Sequence, residues 1–182
     1  MMTHFPIGPI GPPHGGALIE MYTRFDPLGG ALGLPPRTAE ARRAWIKTAL
    51  QNPINVAAFS QTGEVIGHCF LVEDKPGSAE MAVFVHQAYR RRGVGAGLVR
   101  AALEWGGTAG LQRGRAVTAS ENEPALRLLT SCGFGITQSD HFVTEMEIDL
   151  PVAWATLEMF QPHTRASSGR FVFATRAAGC NV

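Results

Sequence analysis

The sequence predicts an α/β domain, because strand-like and helix-like segments alternate along a chain of sufficient size. Two strand-like runs, 55–60 and 64–72, flank the short polar turn 61–63, which is typical of an antiparallel hairpin. A third strand-like run, 80–85, precedes a glycine-rich loop and a long apolar helical segment. With 182 residues, 45% of them hydrophobic, the chain can bury a substantial core.

Two further helices are expected before the hairpin. Apolar residues recur at helical spacing over 18–25, and the dipeptide Asp26-Pro27 is a stop signal. Thr38 can cap a second helix, which carries an apolar stripe and ends before Pro53. The first sixteen residues are rich in Gly and Pro and leave room for at most one short edge strand.

The second half of the chain adds two strands and a short helix. Strand-like runs at 115–119 and 141–148 flank a helix that Asn122 can cap and Gly133 can end. Over 141–148, every second residue from Phe142 onward is apolar or Thr. We therefore expect that set of residues to face the core.

The pattern weakens beyond Pro151. A helix near 154–160 and a strand near 171–174 are compatible with the sequence, and this part is left unassigned. We therefore expect one domain over 1–150, followed by a C-terminal extension of unknown structure over 151–182.

Composition argues against several functional classes. Lysine and arginine total 16 against 15 acidic residues, which gives a net charge of +1. Such a chain has no global field for nucleic acid or an anionic membrane, and it shows no membrane-length apolar run or secretory signal. Cys69, Cys132 and Cys180 are odd in number and scattered, which argues against a disulfide framework or a zinc site. We expect a cytoplasmic protein without a bound metal.

The segment RRRGVGAGL, residues 90–98, has the chemistry of an anion site. Glycines at 93, 95 and 97 allow a tight turn that brings successive N–H groups to an anion without Cβ interference. If a helix begins here, its unpaired amides and dipole favour a pyrophosphate, and three arginines add positive charge. A dinucleotide fingerprint would need Gly at Leu98, and a P-loop would need Gly-Lys-Ser/Thr, so neither NAD nor ATP is favoured. The alternative is a solvated helix start in which the glycines only shape the turn.

This segment resembles a known family motif. Residues 90–95, Arg-Arg-Arg-Gly-Val-Gly, match the coenzyme A loop of the GNAT superfamily of N-acetyltransferases, Gln/Arg-x-x-Gly-x-Gly/Ala. The later segment ASENEPALRLLTSCGFG is similar to a superfamily segment in which an Asn, here Asn122, opens a helix closed by Gly-Phe. The match covers about 54–148. It implies an α/β fold with a mixed, mostly antiparallel central sheet flanked by helices.

Within the superfamily, the opening segment 7–27 and the strand 79–85 look most like bacterial protein-lysine acetyltransferase domains. The resemblance implies transfer of an acetyl group from acetyl-CoA, the co-substrate, directly to a primary amine such as a protein lysine. It implies that backbone groups of one strand pair with the pantetheine arm, that loop amides hold the pyrophosphate, and that Asn122 lies near the pantetheine or its thiol end. The implied cofactor-binding residues are Val83, Phe84, Val85, Arg90, Arg91, Arg92, Gly93, Val94, Gly95, Ala96 and Asn122.

Acetyl transfer to a lysine needs a proton acceptor, because the amine has a reference pKa near 10.4 and is mostly protonated at neutral pH. Glu80 is the candidate base, since a partly desolvated carboxylate at the start of the strand can have a raised pKa. It also matches the glutamate of the resembling protein acetyltransferases. The alternative is an ordinary charged residue at a strand end, and His86 is a weaker candidate base. Leu129 stands where many superfamily members have a Tyr acid, so no side-chain acid carries over.

Three alternatives for the function stay open at this level. The acceptor is a protein lysine or a small-molecule amine, and a non-catalytic coenzyme A sensor is also compatible with the motifs. No nucleic-acid or membrane partner is expected, and association into a homodimer is left open.

Overall fold

The computed structural model describes residues 5–150, which form one seven-stranded sheet with helices on both faces. The elements agree with the predicted order, with one additional strand. The strands are β1 (Ile7–Pro9), β2 (Ile54–Phe59), β3 (Val65–Lys75), β4 (Ser78–Val85), β5 (Arg113–Ala119), β6 (Gly135–Ser139) and β7 (Val143–Asp149), and the helices are α1 (Gly15–Thr23), α2 (Ala39–Ala49), α3 (Val94–Thr108) and α4 (Glu123–Ser131).

The sheet has the order β1-β2-β3-β4-β5-β7-β6. Every neighbouring pair is antiparallel except β4 and β5, which are parallel. The predicted fold class, a mixed and mostly antiparallel sheet flanked by helices, is therefore confirmed. The predicted edge strand in the Pro-rich opening is β1, and the predicted hairpin is β2–β3.

One face of the sheet packs against α3. Leu98, Val99 and Ala102 of this helix are fully buried against Val56 of β2 and Cys69 of β3. Leu129 of α4 and Phe134 extend the same apolar cluster. Because α3 is buried along this face, its first turn has a fixed position beside the sheet.

The other face packs against α1 and α2 over strands β2–β4 only. The cluster there is aromatic, and Tyr22 of α1 makes edge-on ring contacts with Trp45 of α2 and Phe84 of β4. Tyr22 and His68 are fully buried, so these residues belong to the core rather than to a ligand groove. No residue of β5 or β7 belongs to this cluster, so neither helix reaches that end of the face.

A buried polar chain links α1 to the sheet. Asn55 donates its amide N–H groups to the carbonyls of Ala49 and Asn52, which leaves its oxygen to accept from His68 Nε2 at 3.0 Å. His68 Nδ1 is then the acceptor for the Tyr22 hydroxyl at 2.9 Å. Burial lowers the pKa of His68 to about 3, so this ring is neutral and serves structure.

Both predicted helix caps are present. Thr38 Oγ1 accepts from the amide of Ala41, and Asn122 Oδ1 accepts from the amide of Ala125 at 3.2 Å. Because Asn122 caps α4 directly after β5, it lies beside the end of that strand.

The C-terminal strands show one element that was not predicted and one wrong expectation. The sequence does not predict β6, which is exposed along its length and whose Ile136 is 62% exposed, so no buried apolar alternation marks it. Phe142 does not face the core, because it is 81% exposed and precedes β7. The Asp140 carboxylate accepts from the amides of Phe142 and Val143 and forms a turn there.

The division into a domain over 1–150 and an extension over 151–182 stays a prediction. The helix and strand considered near 154–160 and 171–174, and Cys180, lie outside the described residues. Within residues 5–150, no helix is both long and apolar enough to span a bilayer.

The contact between β3 and α3 gives a prediction for Gly67. A Cβ at this position would lie 2.8 Å from Leu98 Cδ1 and 3.2 Å from the Phe84 carbonyl oxygen, both of which are buried. We expect Gly67→Ala to lower the unfolding free energy by about 1–3 kcal/mol through overpacking. Gly16→Ala on α1 is the control, because a Cβ there meets nothing within 4 Å. Urea denaturation that gives equal losses for both variants would contradict this account.

Candidate active site

The site is organised around the separation of two parallel strands. β4 and β5 pair only through residues 78–80 and 113–115, and their last register pair is Glu80 with Arg115. Beyond it, β4 continues against β3, and β5 continues against β7. We term the opening between 81–85 of β4 and 116–119 of β5 the β4/β5 fork. Within the described residues no strand pairs with the β5-facing edge of β4 here, so backbone groups are free to bind an extended, amide-bearing ligand.

The first turn of α3 lies next to the end of this edge. Gly93 caps the helix with φ of 83°, and Arg91 also has a positive φ of 61°. Within residues 5–150, no hydrogen bond occupies the amides of 91–96, because the first intrahelical bond runs from Gly97 N to Gly93 O. Free amides in a turn with positive φ, at a helix N-terminus, have the geometry that favours an anion.

Glycine suits the three positions 93, 95 and 97 for different physical reasons. Gly93 needs its positive φ, and a Cβ there would meet nothing within 4 Å. A Cβ at Gly95 would lie 3.0 Å from Leu128 of α4, and one at Gly97 would lie 2.6 Å from Ile7 of β1. Gly95 and Gly97 therefore allow α3 to pack closely on α4 and β1. Gly95 also fixes the position of the turn at the start of α3.

Glu80 lies at the closed end of the fork. By register it is on the sheet face that carries Ala82 and Phe84, and it is only half-buried. Burial raises the pKa of Glu80, the carboxylates of Asp74 and Glu145 raise it further, and the charge of Arg115 lowers it. A carboxylate with a raised pKa beside an open ligand edge has the properties of a general base.

The comparisons identify the family. The model of the acetyltransferase (GNAT) family matches residues 17–134, which is more than half of the chain. The chain belongs to the GNAT acetyltransferase family. The protein is therefore an acetyl-CoA-dependent N-acetyltransferase that acts on an amine, with acetyl-CoA as its co-substrate. No curated protein sequence matches it.

Solved GNAT structures share the fold. The GNAT domain of PAT from S. lividans is 20% identical, with a TM-score of 0.70 over 80% of this chain and 90% of that one. A putative acetyltransferase from Salmonella typhimurium, solved with acetyl-CoA, is 19% identical, with a TM-score of 0.67 over 88% and 98%. A phosphinothricin acetyltransferase from Sinorhizobium meliloti, in complex with acetyl-CoA, is 16% identical, with a TM-score of 0.66 over 81% and 89%.

The three arginines of the GNAT loop have different surroundings. Arg90 folds back and donates to the carbonyl oxygens of Val85 at 3.0 Å and Asp26 at 2.5 Å. Its guanidinium also stacks over the Phe25 ring, and Arg92 lies over the ring of Tyr89. Arg91 is exposed. The Arg90 side chain thus joins the loop to the end of α1, while the amides of the loop stay free.

The remaining predicted positions lie on both sides of the fork. Asn122 begins α4 after β5, whereas the side chain of Leu129 is buried in the α3 core, so it supplies no acid. His86 is six residues beyond Glu80, or about 20 Å along an extended strand. Burial, followed by the charge of Arg24, lowers the pKa of His86. Glu80 and His86 therefore occupy opposite ends of β4, and only Glu80 lies at the closed end of the fork.

Sequence reasoning missed the ion-pair cluster beside Glu80. Arg115 of β5 contacts Asp74 in the irregular end of β3, and Glu145 and Glu147 of β7. The sequence does alternate charges along both strands, which is a signal for a polar sheet face. Within the described residues, no group of three or more His, Cys, Asp or Glu could hold a metal.

The raised pKa of Glu80 predicts a pH-dependent effect on stability. The folded protein holds this proton more tightly than the unfolded chain, so stability falls as pH rises through the folded-state pKa. Glu80→Gln removes this loss. We expect the variant to melt about 1–2 °C above wild type near pH 8, allowing for a half-exposed group, with no difference below about pH 4.

Thermal melts followed by circular dichroism between these pH values test this expectation. Glu104→Gln is the matched control, because Glu104 is exposed on α3 and far from the fork in sequence. A difference between Glu80→Gln and wild type that is the same at every pH would show that the substitution acts through packing rather than ionisation.

Proposed function

We propose that this GNAT enzyme transfers the acetyl group directly to a primary amine, that Glu80 is the general base, and that the acceptor is a lysine side chain of a protein. The observation that carries the proposal is the position of Glu80, half-buried with a raised pKa at the closed end of the fork. Within residues 5–150, the Glu80 side chain has no hydrogen-bond or ion-pair partner, so the carboxylate is free to accept a proton.

The fork and the loop fit coenzyme A. The free edge of β4 at Val83, Phe84 and Val85 supports pairing with the amides of the pantetheine arm, and the free amides of 91–96 support binding of the pyrophosphate. Acetyl-CoA supplies a thioester, whose carbonyl a backbone N–H can polarise. Backbone amides do not titrate, so this binding needs few special side chains.

The protons balance with Glu80 as the only side-chain group. Glu80 accepts a proton from the acceptor ammonium, which frees the nitrogen lone pair to form the new N–C bond as the C–S bond breaks. The second amine proton goes to the departing thiolate, directly or through water, because Leu129 offers no acid. The products are an N-acetyl amine and coenzyme A thiol, and Glu80 releases its proton to solvent.

The exposed charge on the Glu80 face supports a cationic acceptor. Helices α1 and α2 cover this face over β2–β4 only, and partly exposed Asp74, Glu145 and Glu147 lie beyond them. Carboxylates raise the local concentration of a cation near the surface. Among residues 5–150, no helix covers this acidic part of the sheet face, which suits a lysine side chain that projects from a larger partner.

Binding of coenzyme A at the loop gives a prediction for Gly93. Ligand at about 100 times its dissociation constant adds roughly 2.7 kcal/mol of stability, so the melting temperature should rise by about 5–10 °C. Gly93→Ala forces a Cβ residue into φ of 83° without any clash, and we expect it to reduce this rise by about half or more.

The matched control is Gly63→Ala in the β2–β3 turn. Gly63 also has φ of 83° and open space around its missing Cβ, so the substitution places a Cβ at the same φ without a clash. We expect the control to keep the full rise with coenzyme A. An equal reduction in both variants would mean that the loop amides do not hold the pyrophosphate.

Glu80→Gln tests the base. We expect kcat at neutral pH to fall by about 10²–10⁴-fold on a lysine peptide, with the coenzyme A melting shift retained. The deficit should shrink as pH approaches about 10, because the amine then loses its proton without help. A deficit that is constant with pH would refute general-base catalysis by Glu80.

The same assay tests the acceptor when a panel of lysine peptides is compared with small amines. A higher kcat/KM for the peptides supports the lysine acceptor. If a small amine has the higher kcat/KM, the acceptor is a small molecule, and the role of Glu80 is judged separately from its pH profile.

A further inference from the structure

Arg115 lies next to Glu80, but its guanidinium contacts other carboxylates. The two residues are the last register pair of β4 and β5 before the fork, so their side chains are on the same sheet face. Each nitrogen of the Arg115 guanidinium nevertheless contacts another carboxylate: Nη1 lies 2.5 Å from Asp74, Nη2 3.5 Å from Glu145, and Nε 3.4 Å from Glu147. The side chain of Arg115 is only 22% exposed, so these contacts restrict where the guanidinium can move.

Glu80, in contrast, makes no ion pair with any residue in 5–150. An arginine fork offers five N–H donors in a fixed plane, and each of the three Arg115 nitrogens already lies against a carboxylate other than Glu80. Arg115 is in register with Glu80 on one side and with Glu147 on the other, and of these two carboxylates it contacts only Glu147.

We propose that Asp74, Glu145 and Glu147 are positioning residues that hold the Arg115 guanidinium away from Glu80, so that the Glu80 carboxylate stays free to take a proton from the acceptor. This inference rests on the proposed role of Glu80 as the base. The charged groups that act on Glu80 come from all the strands around it, namely Asp74 of β3, Arg115 of β5 and Glu145 of β7.

The consequence concerns how basic Glu80 is. If one of the three carboxylates is lost, a guanidinium nitrogen is released toward Glu80, and a direct ion pair lowers the pKa of a carboxyl group by about 1–3 units. A weaker base accepts the amine proton less readily. The three carboxylates therefore control the proton affinity of Glu80 through the arginine that they hold.

Loss of Asp74 also removes a like charge near Glu80, so the test must separate the two effects. The δ-carbon resonance of Glu80 is titrated in ¹³C-glutamate-labelled enzyme and assigned by its absence in Glu80→Gln. Four proteins are compared: wild type, Asp74→Asn, Arg115→Gln and the double variant. Asp149→Asn is the control, because Asp149 is 86% exposed and contacts Arg113 rather than Arg115.

We expect Asp74→Asn to lower the Glu80 midpoint by about one unit or more, and by less than about half as much when Arg115 is absent. Asp149→Asn should leave it unchanged. An equal shift with and without Arg115 would mean direct repulsion by Asp74 and would overturn the proposal, as would no shift. If Arg115→Gln does not fold, a crystal structure of Asp74→Asn decides: a guanidinium within about 4 Å of Glu80 supports the proposal, and an unmoved one overturns it.

The pH profile of kcat/KM separates this proposal from the role of the base. Its acidic limb should move to lower pH in Asp74→Asn together with the Glu80 midpoint. If the titration midpoint of Glu80 moves and the acidic limb of kcat/KM does not, Arg115 still controls the pKa of Glu80 electrostatically. In that case both the positioning role and the role of Glu80 as base fail. If Glu80→Gln shows the loss expected of a base and the midpoint does not move, only the positioning role fails.

Discussion

The parting of β4 and β5 after three paired residues is the constraint on which the site depends. Each strand keeps its other neighbour, β3 or β7, along nearly its whole length, so the fork opens without leaving either strand alone. The short pairing of β4 with β5 thus leaves the backbone edge of β4 free beyond Glu80 and places Glu80 in register with Arg115 at the closed end of the fork.

The turn before α3 and the end of α1 are both held by close contacts. Close packing of Gly97 on Ile7 and of Gly95 on Leu128 fixes the start of α3 against β1 and α4. On the other face, Gln87 accepts from the amide of Asp26 and donates to the carbonyl of Arg24, and Arg90 bonds to Asp26 as well. The turn that follows β4 is therefore tied to the end of α1, so the free edge of β4 and the aromatic cluster around Tyr22 and Phe84 keep a fixed relation.

Features that depend on a few neighbouring residues could be predicted from the sequence, whereas features that depend on the pairing register of the strands could not. The Asn122 cap, the positive φ at Gly93 and the β2–β3 turn each depend on a few neighbouring residues. β6 depends on pairing with β7 alone, since none of its side chains is buried. Likewise, the alternating charges of β5 and β7 are visible in the sequence, but only the register brings Arg115 among the three carboxylates of β3 and β7.

Within residues 5–150, Glu80 has no ion-pair partner, which is better explained by a role in function than by a role in fold stability. A carboxylate beside a partly buried arginine can be stabilised by pairing with it, yet burial keeps the pKa of Glu80 raised although the nearby charge of Arg115 lowers it in part. The same cation is shared by three other carboxylates, of which Glu147 also contacts Arg113. The Arg115 guanidinium is thus held by other carboxylates, while Glu80 keeps a raised pKa beside the free edge of β4. This arrangement lowers fold stability, which is the pattern expected where a group must exchange protons.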